Sequence, residues 1–189
     1  VTYSIAGQVR GTLGLFIYAL LIFYSGEMIW RERSLNLAQI TDTLPVPNWT
    51  RYLAKMVALA LVPVLLHLVG ILVGIGVQLG KGFFDIDLGH YLVALLGFGL
   101  IDYLLFLPLA FLVQVLSPNK FVGFVLVVLI FFFNASVLGL LGVEHNMLQY
   151  MSETRLTYSD MNGYGHFVWP YLSFKLYWLG LAIVMGVIG

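Results

Sequence analysis

Long, unbroken apolar runs constrain this chain more than any other feature. A helix needs roughly 20 apolar residues to cross about 30 Å of hydrocarbon. Runs of that order extend from about 12 to 30, 55 to 79, 91 to 116 and 121 to 143, and another begins near 171 and continues to residue 189. Transmembrane strands would alternate over about ten residues, whereas these runs stay apolar for about twice that length. A soluble domain carries roughly 25% charged residues. Here 10% of residues are charged and 61% hydrophobic, which excludes both an ordinary soluble globule and a disordered chain. The expected fold is all-α: a polytopic membrane protein with about five transmembrane helices. Cysteine is absent, so disulfides, thiolate catalysis and cysteine-ligated metal centres are excluded. Nine basic and nine acidic side chains cancel, and no basic field points to nucleic acid.

The connections differ in charge. Segment 31–54 is polar and carries Arg31, Arg33 and Arg51, with Lys55 closing it; 80–90 leans acidic through Asp85 and Asp87; 117–120 is a tight turn at Pro118; and 144–170 is the longest. Five Lys and Arg residues fall in 31–55 and 117–120, against three in 80–90 and 144–175. The positive-inside rule therefore places 31–55 and 117–120 in the cytoplasm and the other two outside. Trp30, Trp49, Trp169 and Trp178 lie at or near span ends, as an interfacial aromatic belt requires. With Arg10 outside, residues 1–11 read as the tail of an external loop after a further helix, and the last run reads as part of a span. The chain is accordingly expected to be part of a longer one.

Three polar groups fall within runs: Glu27, His67 and Asp102. A carboxylate at a span centre costs roughly 2.5–3.5 kcal/mol on insertion scales, so Asp102 should face protein or a water-filled cavity. His67 and Asp102 lie at similar depth in neighbouring antiparallel spans and could meet, either as a proton relay or substrate contact or simply as a packing hydrogen bond. Glu27, near a span end, can snorkel or pair with Arg31 one turn on. The external segment holds Glu144, His145, Glu153, Asp160 and His166, residue types that can ligate zinc. Their spacing argues against a site: Glu144 and His145 are adjacent, and no HExxH occurs. Met147, Tyr150 and Met151 share a helical face, so 144–154 is expected to form a short external helix. An irregular turn at 159–165 should follow, with Gly163 and Gly165 supplying backbone freedom and Asp160 and Asn162 capping it.

Within 31–54, Leu37, Ile40 and Leu44 form an apolar stripe at i, i+3 and i+7. Ser34 can cap its start, and Pro45 and Pro47 end it. A short amphipathic helix at 34–44 follows, either lying on the membrane surface or docking a cytoplasmic protein.

Here the chain resembles the membrane subunits of ABC-2-type transporters, in which a span is followed by an E-R pair, an amphipathic helix, a proline stop and a basic residue opening the next span. The matching elements are Glu32-Arg33, residues 35–44, Pro45-Val46-Pro47 and Lys55; the glycine that often follows E-R is missing. The strings SGEMIWRERS (25–34), DTLPVPNW (42–49), LGVEHNMLQY (141–150) and YSDMNGYGHF (158–167) are similar to bacterial permeases that continue into a gluzincin-type aminopeptidase. The resemblance implies a partial transmembrane domain over 1–189 in the bacterial inner membrane, with a coupling helix built from Arg31, Glu32, Arg33, Leu37, Ile40, Leu44, Pro45, Pro47 and Lys55. It implies a separate cytoplasmic ATP-binding subunit that carries the ATP and magnesium, a second permease domain, and no cofactor, metal or catalytic residue in this chain. The competing readings are a polytopic membrane enzyme using His67, Asp102 or the 144–166 segment, and a membrane anchor for a fused metallopeptidase.

Overall fold

The computed structural model describes residues 2–35, 47–134, 145, 147–152, 154, 156, 158–159 and 162–189, apart from the side chain of Asn48. Among these residues every named element is a helix. They are α1 (Thr2–Ser34), α2 (Asn48–Gly80), α3 (Leu88–Leu116), α4 (Lys120–Phe132) and α5 (Val168–Ile188), the last preceded by a single 3-10 turn, Gly165–Phe167. Four of the described helical stretches are long and apolar enough to cross a membrane: Thr2–Ser34, Trp49–Gly80, Leu88–Leu116 and Gly165–Ile188. The protein is a multi-pass membrane protein. Two compact units divide the chain at Pro108, within α3.

In the first unit, α1 and α2 run antiparallel along their length. Lys55 Nζ donates to Glu32 Oε2 at 2.5 Å at one end, and Gln78 Nε2 donates to Thr2 Oγ1 at 3.1 Å at the other. Gly70 and Gly74 of α2 permit this closeness. A Cβ on Gly70 would lie 2.8 Å from Leu13 and Val9, and one on Gly74 would lie 3.1 Å from Tyr91. Ile5, Ala6, Ile71, Tyr91 and Leu95 form the core cluster where α1, α2 and α3 meet. Replacing Gly70 with leucine overpacks this seam and is expected to lower stability by about 1–3 kcal/mol, read as a lower unfolding midpoint in detergent.

The first helix corrects the expectation for residues 1–11. Thr2 to Gly11 are helical and continuous with the span, not the tail of a loop. Arg10 was read as lying outside the first span; it sits within α1 and bonds an acidic side chain of α3. Likewise Arg31–Ser34 and Asn48–Ala54 are helix rather than connection, which shortens the polar segment at both ends. Ser34 lies in the last turn of α1, where its Oγ donates to the Arg31 carbonyl at 3.0 Å; the helix it was expected to cap lies outside the described residues. Leu37, Ile40, Leu44 and Pro45 lie outside the described residues, as does the proposed surface helix.

Helix α3 begins where the Asp87 side chain accepts from His90 N at 2.9 Å. It is α-helical over Leu88–Tyr91, widens to π-helix over Leu92–Gly99, and returns to α over Leu100–Leu116. Gln78, fully buried, closes this end of the unit. Its Nε2 also donates to the Asp85 carbonyl at 2.7 Å, and its Oε1 accepts from Tyr91 OH at 3.2 Å.

In the second unit, α3 and α4 form a hairpin across Ser117–Asn119, where the Asn119 side chain accepts from Val122 N at 2.9 Å. The buried Gln114 amide lies on Gly123, where any added Cβ would collide with it. The fourth run is described as helix over Lys120–Phe132, too short to span alone, and 135–143 lies outside the described residues. The last run forms a helical stretch, Gly165–Ile188, long and apolar enough to cross a membrane.

The described part of 144–154 is a pair of turns, with Leu148 N bonded to His145 O at 2.9 Å and Ser152 N to Gln149 O at 3.0 Å. The expected helix is absent over 147–152 because its backbone is claimed by side chains. Asn134 Nδ2 donates to Tyr150 O at 2.7 Å, and Asn134 Oδ1 accepts from Tyr150 N at 2.8 Å. Lys175 Nζ, nearly buried in α5, donates to Met151 O at 2.9 Å, and Met151 takes φ 62°. The Tyr150 ring meets Trp178 edge-on at 5.3 Å. Burial pushes its phenol up, so the ring docks uncharged. The turn before α5 forms as expected: Ser159 and Gly163 exchange backbone bonds at 2.9 and 2.7 Å, with Gly163 and Gly165 at φ 57° and 46°. Asn162 lies against Gly165; Glu144 and Asp160 fall outside the described residues.

Candidate functional site

The candidate site in the first unit is an ion pair beside a buried histidine, assembled from α1, α2 and α3. Arg10 Nη2 donates to Asp102 Oδ2 at 2.9 Å, with the two side chains 33% and 16% exposed. Asp102 heads the α-helical part of α3, just past its π-helical stretch. Whether His67 and Asp102 meet was left open by the sequence; in the structure the carboxylate takes the guanidinium, a permanently charged partner.

His67 is satisfied within its own helix. Pro63 lacks an N–H and frees the carbonyl one turn earlier, and its own carbonyl lies 2.7 Å from His67 Nδ1. A carbonyl can only accept, so Nδ1 donates in this bond, and the other ring nitrogen is Nε2. That nitrogen is buried without a hydrogen-bond partner, beside Gly99, where a Cβ would approach it to 3.3 Å. Tyr103 packs on the imidazole at 5.5 Å between ring centroids and on Tyr18 at 4.9 Å; Phe106 meets Tyr18 edge-on at 5.1 Å. Gly14 leaves room for the Tyr103 hydroxyl, 3.6 Å from where its Cβ would be.

This arrangement can fix three helices against one another. The carboxylate is engaged by an arginine, and the imidazole proton is committed to a carbonyl. Neither forms a nucleophile–base pair, and no cluster of His, Asp and Glu able to hold a metal occurs among the described residues. His145 is exposed, its Nδ1 accepting from Met147 N at 3.3 Å, and His166 stacks on Phe167 at 4.3 Å in the 3-10 turn.

At the far end of α1, the Glu32–Lys55 ion pair closes the base of the 35–47 connection. Arg33 lies 4.8 Å over the Trp30 ring, Arg31 is exposed, and Glu27 is half-buried one turn earlier. Pro47 is exposed and precedes α2 in extended conformation, its carbonyl accepting from Thr50 Oγ1 at 2.7 Å. Two residues of the E-R…K pattern are thus brought together. Reading the sequence in local windows missed Arg10, whose partner lies 92 positions away. The available signal was simple: one basic residue ahead of the first run and one carboxylate near the middle of the third.

The family described as ABC-2 family transporter protein matches residues 2–134, taking in α1 to α4 entirely. No curated protein and no solved structure matches the chain. With the match covering well over half of the sequence, on a multi-pass helical framework, this chain belongs to the ABC-2 transporter family.

Proposed function

We propose that the chain is the permease component of an ABC exporter in a bacterial inner membrane, and that it works with a separate ATP-binding subunit and a second permease domain. Family membership supports the permease role. The observation that carries the coupling reading is the Glu32–Lys55 ion pair, which joins α1 and α2 at the base of the segment between them. A subunit pressing on 35–47 would move both helices together rather than flexing one. ATP and magnesium belong to that subunit, and this chain carries out no bond chemistry of its own. The resemblance to permeases fused to an aminopeptidase extends the proposal: such a peptidase would be carried on the same polypeptide and would use its own zinc site.

The test is purification of the tagged protein from native membranes under mild detergent. An ATP-hydrolysing subunit should co-purify. Lys55→Glu should lower the ATPase rate of the complex several-fold, and Glu32→Lys added to it should restore much of the rate. Recovery of the intact chain without any ATPase subunit would overturn the reading.

A further inference from the structure

Helix α3 keeps one face buried at a spacing that an uninterrupted α-helix cannot hold. Tyr91, Leu95, Gly99 and Tyr103 are all buried, each four residues after the last. Tyr91 lies against Gly74 and bonds Gln78, Gly99 meets His67, and the Tyr103 ring packs on the same imidazole, so all three touch α2. Over the twelve positions from Tyr91 to Tyr103, a pure α-helix would leave the two tyrosines about 120° apart around the axis. One of them would then leave α2. The π-helical stretch Leu92–Gly99 removes the mismatch, because i→i+5 bonds take an extra residue into the turn. With one residue fewer, a pure α-helix would return the tyrosines to within about 20° of each other. The stretch therefore holds a surplus of one residue.

Both ends of the stretch are tied. Tyr91 OH donates to Gln78 Oε1 at 3.2 Å just before it, and Asp102 accepts from Arg10 at 2.9 Å just after it. The first tie joins two neutral groups and the second is an ion pair, so the outer end is the one that yields. Where the stretch closes, a Cβ on Gly99 would come to 3.3 Å from His67 Nε2 and 3.4 Å from the Ala94 carbonyl, five residues back. Any side chain would crowd the π ladder at this point. His67 Nε2 is buried there, with no hydrogen-bond partner among the described residues.

We propose that Leu92–Gly99 is a conformational switch, whose surplus residue is either held as π-helix or released into α-helix. Release turns Leu88–Tyr91 by about 100° around the axis of α3. It takes the Tyr91 hydroxyl off Gln78 and leaves the Arg10–Asp102 pair in place. The outer end of α3 thus has two discrete seats on α2 rather than a continuous range of positions. The switch does not depend on the permease reading.

Two measurements on the intact protein in mixed micelles test this. Deleting Val93, 45% exposed within the stretch, removes the surplus, and the variant should unfold at a midpoint no lower than the unaltered protein. Deleting Leu72, 70% exposed on α2, breaks the register between Gly70 and Gln78 and should lower the midpoint clearly. Equal damage from the two deletions would show that no residue is in surplus and overturn the proposal. For the motion, a fluorinated tyrosine at position 91 should show relaxation dispersion on the μs–ms scale of helix register shifts. Dispersion should vanish when Val93 is deleted. Gly99→Ala, whose methyl presses on His67 and the Ala94 carbonyl, should enlarge the minor population several-fold. Flat dispersion in the unaltered protein would overturn the switch, as would dispersion that survives the Val93 deletion or a minor state indifferent to Gly99→Ala. None of these readings needs an ATP-binding subunit, so failure here is separable from failure of the permease assignment.

Discussion

Asp102→Leu, with Arg10 left in place, is expected to destabilise the protein by about 2–3 kcal/mol, somewhat under the roughly 3–5 kcal/mol typical of breaking a fully buried pair. The discount reflects the one-third exposure of Arg10, which lets water or lipid headgroups reach the orphaned guanidinium. Arg10→Leu should cost more, because Asp102 is the more buried member and a lone carboxylate has little means of snorkelling. Arg10→Leu combined with Asp102→Leu removes both charges and should return most of the loss, since the pair itself repays a desolvation cost that the double variant never incurs. Unfolding in mixed micelles, run as a double-mutant cycle, reads this as a coupling energy of well over 0.5 kcal/mol. Strict additivity would mean that the two residues do not act as a pair. His67→Phe serves as the contrast: it should show no coupling to Asp102, because the histidine bonds Pro63.

Asn134→Ala should have an effect of similar size but confined to the segment around Tyr150. The variant leaves both the N–H and the C=O of Tyr150 without their partner, each costing roughly 1–3 kcal/mol if no water replaces it. Amide exchange at Tyr150 should accelerate by at least about tenfold, equivalent to 1.4 kcal/mol of lost protection. Asn134→Asp keeps the acceptor and loses the donor, so the Tyr150 amide should stay protected. Lys175→Met acts on the neighbouring carbonyl and should loosen Met151 while leaving exchange at Tyr150 closer to normal. Unchanged exchange at Tyr150 in Asn134→Ala would show that the Trp178 contact alone holds the segment.

The helices were legible wherever the determinant was local. Continuous apolar runs located α2, α3 and α5 to within a turn or two, Pro118 and Asn119 marked the α3–α4 turn, and Gly163 and Gly165 marked the turn before α5. What escaped depended on partners remote in sequence. The start of α1 was placed too late because Arg10 alone reads as a boundary, and only Asp102 makes it a helical interior residue. The helix expected at 144–154 had a sound periodic face, but propensity there yields to Asn134 and Lys175, which bond its backbone from other elements. His67 is buried, and Asp102, which the sequence offered as one possible partner, bonds Arg10 instead. The nearest acceptor was a carbonyl of its own helix, four residues back. The π-helical stretch of α3 has no signature in composition at all, since Leu92–Gly99 is as apolar as its surroundings.

The two ties that join α1 to α2, Glu32–Lys55 at one end and Thr2–Gln78 at the other, have a mechanical consequence. A helix pair pinned at one end can open like scissors; a pair pinned at both ends, with its glycine seam tight between, behaves as a single beam. At 1.5 Å per residue the beam is about 50 Å long. Force applied beside Glu32 cannot be dissipated by spreading the two helices, so it must appear as tilt or translation at the opposite tip. Gln78 there also holds the Asp85 carbonyl and the Tyr91 hydroxyl, so the short segment leading into α3 is carried along with the beam.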